Sequence, residues 1–278
     1  MIRPVIQVFS LFLLAALFAA PSSAQSRPAA YLGFDRNDYP GDESLPNLRK
    51  TFSFAGFWLN NPPGEKHNSW VSKRPILQSA GFGFLVLFNG RPYAELHNPA
   101  NAAQLGQSDA HAAAAAARRE GFPPHTVIFL DQEEGGRMLP EQKAYIFAWV
   151  DGVIAAGFRA GIYCSGIAAK EVSGKSIVTA RDIRENAGAR NIAYFVTNDA
   201  CPPSPGCAFP KHPPKPAEST IPFASVWQFA QSPKRSDVAA GCPANYSQDH
   251  QCYPPGLDPA QHLHVDVESA TTPSPSEN

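Results

Sequence analysis

The stretch TVIFLDQEEGG, residues 126–136, decides how the rest of the chain is organised. Its first five residues are apolar or β-branched, with no Gly or Pro among them. Such a run reads as a strand buried on both faces. It then turns acidic at Asp131-Gln132-Glu133-Glu134 and stops at Gly135-Gly136. Side chains of a strand alternate with period two, so Asp131 and Glu133 share a face with Val127 and Phe129. Two neighbouring carboxylates push their pKa values apart, and one can keep its proton near neutral pH while the other is ionised. That arrangement suits general acid catalysis. Taken alone, a DxE triplet is also what a strand ending in a solvated turn looks like.

Working outward, seven more strands are expected, at residues 31–35, 51–60, 83–89, 159–165, 191–197, 224–229 and 262–269. Helical spacing falls between them. Trp70, Ile76 and Leu77 mark a segment over 69–80 interrupted by Pro75, and a short turn is expected at 45–50. Ser108 reads as the N-cap of a helix over 108–120, which carries an alanine run and ends in Arg118-Arg119. Tyr145, Trp149, Ile154 and Phe158 give the clearest helix, 140–158, with Gly157 at its end, and a short polar helix follows at 180–187. Eight strands interleaved with helices predict an α/β fold, a modified (β/α)8 TIM-barrel-like domain over residues 31–270. After strands six and seven, long loops (200–222 and 232–261) replace helices. An open doubly wound sheet is the competing architecture, but no GxGxxG or GxxxxGK[ST] follows the first strand.

The 278 residues carry 23 Lys+Arg against 24 Asp+Glu, a balance that gives no reason to expect nucleic-acid binding. Residues 1–24 read as a signal peptide: Arg3, an apolar run over 8–20, and Ser22-Ser23-Ala24 before a linker at 25–30. No membrane span is expected in the mature protein, and the expected location is secreted or periplasmic. A tail, 271–278, has the composition of a disordered segment. The five cysteines suit an oxidising compartment. Two local disulfides are expected, Cys201–Cys207 and Cys242–Cys252, each across a short polar loop. Cys164 is left as a buried thiol with no local base or positive charge to activate it.

Acids collect where barrel enzymes place their active sites, at strand C-termini. Asp35 ends the first strand, Asp131 and Glu133 the fourth, and Asp266 lies near the end of the eighth. On that last strand His264, Asp266 and Glu268 share one face, and Val265 and Val267 the other, so Asp266 should point inward. Trp58, Tyr163 and Trp227 sit at strand ends, where aromatic faces can stack on sugar rings; as core fillers they would need no ligand. His262, His264, Asp266 and Glu268 diverge too much along one strand to supply several metal ligands, so neither a metal nor another cofactor is expected.

The order Gly33-Phe34-Asp35, Asp131-x-Glu133, Gly161-Ile162-Tyr163-Cys164-Ser165, Trp227-Gln228 and Val265-Asp266-Val267 resembles the glycoside hydrolase family 25 muramidases. It resembles more closely the secreted glycoside-hydrolase-like domain of unknown function 1906. The first strand departs from the muramidase pattern by running into Arg36-Asn37-Asp38-Tyr39-Pro40-Gly41. The resemblance implies a modified barrel in which Glu133 is the general acid. Asp131, Asp35 and Asp266 would tune it, orient the substrate acetamido group or activate water. It implies a secreted glycosidase acting on peptidoglycan or a related N-acetylated glycan, expected as a monomer. A non-catalytic carbohydrate- or wall-binding module on the same fold is the alternative, and a purely structural secreted domain a third.

Overall fold

The computed structural model describes residue 1 and residues 29–200, 202–204, 212–230 and 265–277. Residues 2–24 of the expected signal peptide and 25–28 of the linker lie outside the described residues, as do Cys201, Cys207, Cys242 and Cys252 with their expected pairings. The loop expected at 232–261 also lies outside them, and that at 200–222 does so in part.

Eight strands close into a barrel: β1 (Tyr31–Asp35), β2 (Phe54–Trp58), β3 (Gly83–Asn89), β4 (Val127–Asp131), β5 (Arg159–Ser165), β8 (Ile192–Thr197), β9 (Val226–Ala230) and β10 (Asp266–Ala270). Around the barrel the order is β1, β10, β9, β8, β5, β4, β3, β2. A hairpin not foreseen from the sequence, β6 (Ala168–Lys170) with β7 (Ser176–Val178), lies outside the barrel sheet. The expectation of an α/β, TIM-barrel-like fold holds. One strand breaks the pattern: β10 runs antiparallel to both β1 and β9. Asp266 is therefore the first residue of its strand, not one near the end, yet it pairs in register with Asp35, the last residue of β1. Antiparallel neighbours need no crossover helix, and the sequence offers none before β10.

The helices are α1 (Leu45–Leu48), α2 (Arg74–Ser79), α3 (Pro99–Arg119), α4 (Pro140–Ala155) and α5 (Thr179–Asn186). The helix expected to start at Ser108 starts nine residues earlier. Its cap is Asn98, whose side chain accepts from the backbone N–H of Asn101 at 3.0 Å. Pro99 suits the first turn, where its missing N–H costs nothing. Gly106 inside the helix is explained by packing. A Cβ there would overlap the Tyr145 carbonyl oxygen of α4, so the small residue sets how closely α3 and α4 approach.

Residues 271–277 are not the disordered tail that their composition predicts. β3 begins ahead of β4 in the sheet register, where the first paired residues are Val86 and Ile128. The backbone of Gly83–Leu85 therefore lacks a β4 partner, and the tail supplies one. Phe84 donates its N–H to the Ser274 hydroxyl at 3.0 Å, and Val86 donates to that of Ser276 at 2.8 Å. The Ser276 backbone pairs with the Phe84 carbonyl at 3.0 Å and accepts from the Val127 N–H at 2.7 Å. Serine composition marks a chain that cannot build its own core; here the core is already built and the serines satisfy its exposed backbone.

Candidate functional site

Strand alternation places the key side chains inside the barrel. Asp35 follows Gly33 on the inner face of β1, while Phe34 packs outward against Phe52 and Phe82. Asp131 follows Phe129, which lies inside the barrel against Phe195. Tyr163 on β5 and Phe195 on β8 also line the interior, their rings 4.7 Å apart. Gly56 of β2 makes room, since a Cβ there would overlap the Cβ of Asp35.

These elements open on a pocket of about 200 Å³ at the C-terminal ends of the parallel strands. Asp35, Asp131, Glu133 and Asp266, all four expected acids, line it, together with Trp58 and Tyr163. Among the described residues that line it there is no Lys, Arg or His. Asp131 and Glu133 also border a larger groove of about 780 Å³, which continues over the ends of β2 and β3 past Asn60, Asn61 and Asn89.

Trp227 does not reach the pocket. It is buried on the outer face of β9 beside Phe229, and its indole N–H donates to the Asn198 carbonyl at 2.9 Å. Its neighbour Gln228 takes the inner face and was missed as a site residue. The Tyr163 hydroxyl donates to Gln228 Oε1 at 2.7 Å. Gln228 Nε2 in turn donates to Asp35 Oδ2 and to Asp266 Oδ2, each at 3.3 Å. The carboxamide thus ties β5, β1 and β10 together across the barrel. A polar residue alternating with Trp227 and Phe229 on an otherwise apolar strand was the available signal. Trp58 does line the pocket, held by its indole N–H donating to the Arg36 carbonyl at 3.1 Å.

The electrostatics follow from crowding acids without cations. Burial pushes Asp35 up to about 6; a hydrogen bond with Glu268 opposes that, the charge of Glu133 adds to it, and Gln228 opposes it. Asp131 is held well above the usual carboxylate range by burial, then by the charges of Glu133 and Asp35. One of its oxygens, Oδ1, has no hydrogen-bond partner. Glu133 lies beyond the end of β4 and is open to solvent, but the pocket wall desolvates it enough to raise its pKa. Glu134 points away: its carboxylate accepts from the Tyr93 N–H at 2.8 Å and from Gln142 Nε2 at 2.7 Å. Cys164 is free and wholly buried, and burial drives its pKa up, as expected of a thiol without a reactive role.

Residues 69–199 match the model of a family described as Rv2525c-like, glycoside hydrolase-like domain. That span holds Asp131, Glu133 and Tyr163 but not Asp35, Trp58 or Asp266. Among solved structures, the chain is similar to an uncharacterized B. stearothermophilus protein at 20% identity, covering 86% of this chain and 95% of that one, with a TM-score of 0.54. It is similar to the Mycobacterium tuberculosis Tat-secreted protein Rv2525c at 14% identity, covering 88% and 96%, with a TM-score of 0.50. The catalytic domain of endolysin ply40 from bacteriophage P40 of Listeria monocytogenes shares 15% identity over 86% and 92%, also at 0.50. These likenesses are of fold. No curated protein matches the sequence. Among the described residues no helix is long and apolar enough to cross a membrane.

Proposed function

We propose that this chain is a secreted glycoside hydrolase related to the family 25 muramidases, cleaving peptidoglycan or a related N-acetylated glycan as a monomer. The observation that carries the proposal is the convergence of Asp35, Asp131, Glu133 and Asp266, from three strands, on one pocket walled by Trp58 and Tyr163. The family description over residues 69–199 and the fold likeness to an endolysin catalytic domain support the chemistry. The likeness to a Tat-secreted protein and the signal-peptide pattern of residues 1–24 support export.

In this reading Glu133 donates its proton to the leaving glycosidic oxygen. It is the acid open to solvent at the pocket and the groove, and its raised pKa keeps it protonated further toward neutral pH. Asp131, buried beside it, keeps the local charge low by holding its own proton. Asp35, pushed up to about 6, is largely ionised at pH 7. With Asp266 it faces the other side of a bound sugar, activating water or holding the acetamido group that attacks in its place. Trp58 and Tyr163 offer aromatic faces to the sugar ring.

The test is to incubate the purified mature protein with peptidoglycan and with chitin fragments and to read products by mass spectrometry. Cleavage that is lost in Glu133→Gln supports the proposal. Glycan binding without products, unchanged by Glu133→Gln, overturns it in favour of the wall-binding module.

A further inference from the structure

One titratable group beneath the pocket has no part in the chemistry above. Glu268 on β10 is completely buried inside the barrel. It pairs in register with Gly33 on one side and with Gln228 on the other. Asp35 stands two residues beyond Gly33 on the same face, and Asp266 two residues before Glu268, so Glu268 lies one layer below both acids. No N–H or hydroxyl donor stands in hydrogen-bonding geometry to either of its oxygens. Its neighbours on the inner face are the carboxyl group of Asp35, diagonally across the β1–β10 pair, and the Gln228 carboxamide opposite it on β9.

Two carboxylates cannot hydrogen-bond to each other; a proton must lie between them. A buried, unpaired carboxylate would also cost far more than a buried neutral acid. Burial, and then the charges of Asp35 and Asp266, hold Glu268 well above the usual range, so the proton belongs on Glu268.

We propose that Glu268 is a positioning residue: a permanently protonated carboxylic acid whose O–H donates to Asp35 from below and keeps that carboxylate ionised and aimed into the pocket. With Gln228 donating to the same group, Asp35 gains two donors, which offset part of its burial. The other titratable groups that line the pocket with Asp35 are Asp131 and Glu133 from β4 and its loop, Tyr163 from β5 and Asp266 from β10. None is a cation, so hydrogen bonding is the stabilisation these strands offer Asp35. The inference rests on Asp35 belonging to the functional site, but its test needs no turnover.

The experiment is a ¹³C carboxyl NMR titration of the full mature chain, with Asp35→Asn used to assign the Asp35 resonance. In the wild type, Asp35 should titrate near its raised value of about 6 and Glu268 should stay protonated through that range. Glu268→Gln keeps a donor in place, so the Asp35 midpoint should stay or fall. Glu268→Leu removes the donor, so the midpoint should rise by about one pH unit or more. Rescue by Gln and not by Leu separates a hydrogen-bond role from mere packing. A folded Glu268→Leu with an unmoved Asp35 midpoint overturns the inference. If that variant does not fold, the wild-type resonance of Glu268 decides: a midpoint in the ordinary carboxylate range overturns it. Should the titrations behave as expected while no glycan is cleaved, the positioning role stands and the hydrolase reading falls.

Discussion

The two ends of the barrel are built on opposite rules. At the N-terminal end of the parallel strands the tail docks, and the hydroxyls of Ser274 and Ser276 take up the backbone N–H groups of Phe84 and Val86. Arg74 reaches Glu277 at 3.2 Å and stacks over Phe84 and Phe122. At the other end Asp35, Asp131, Glu133 and Asp266 crowd a pocket with no described cation lining it. One end satisfies polar groups, while the other concentrates like charges in a desolvated space. Barrels commonly divide this way, with stability at the bottom and chemistry at the top. The difference teaches that the acids are kept despite what they cost the fold, a pattern expected of functional sites.

The strongest way to break this contrast is through rate. Glu133→Gln should lower glycan turnover by about 10²–10⁴-fold while leaving glycan affinity nearly unchanged, because it removes a proton donor and little else. Product release by mass spectrometry and binding by calorimetry together check it. Damage from Glu134→Gln instead would contradict the pocket geometry, since Glu134 is occupied by Tyr93 and Gln142.

A second test uses pH. Asp35 has a folded pKa raised from an ordinary value of 3.8 to about 6. An acid whose pKa is raised by folding binds its proton better in the folded state. Its penalty is absent below the unfolded value, grows between 3.8 and about 6, and is constant above. At neutral pH that penalty is on the order of 3 kcal/mol. Denaturant melts at pH 4 and pH 7.5 should show Asp35→Asn gaining stability relative to wild type at the higher pH and little at the lower. An equal effect at both would show that Asp35 is not strained in the folded state.

At the opposite end the sign reverses. Ser276→Ala leaves the buried Val86 N–H without an acceptor and should destabilise the fold by about 1–3 kcal/mol, at any pH and with no change in turnover. The smallest effect belongs to the Arg74–Glu277 pair. Glu277→Gln should cost about 0–1 kcal/mol, less at high salt, because the pair stays near solvent. A larger loss would mean that the ion pair, more than the serines, holds the tail.

By itself the sequence determined the eight strands and most of the pocket. Apolar runs bounded by turns mark strands, and period two then assigns faces. Asp35, Asp131, Glu133, Trp58 and Tyr163 were legible because each ends, or closely follows, such a run. The same periodicity, applied to β9, would have chosen Gln228 over Trp227. What only the tertiary structure decided are matters of long-range register. Nothing local in residues 266–270 states that the strand runs antiparallel, since direction depends on which neighbours receive its hydrogen bonds. That direction puts Asp266 opposite Asp35 and buries Glu268 one layer below. The tail, too, reads as disordered until β3 is seen to outrun β4, because its serines find their partners about 190 residues away.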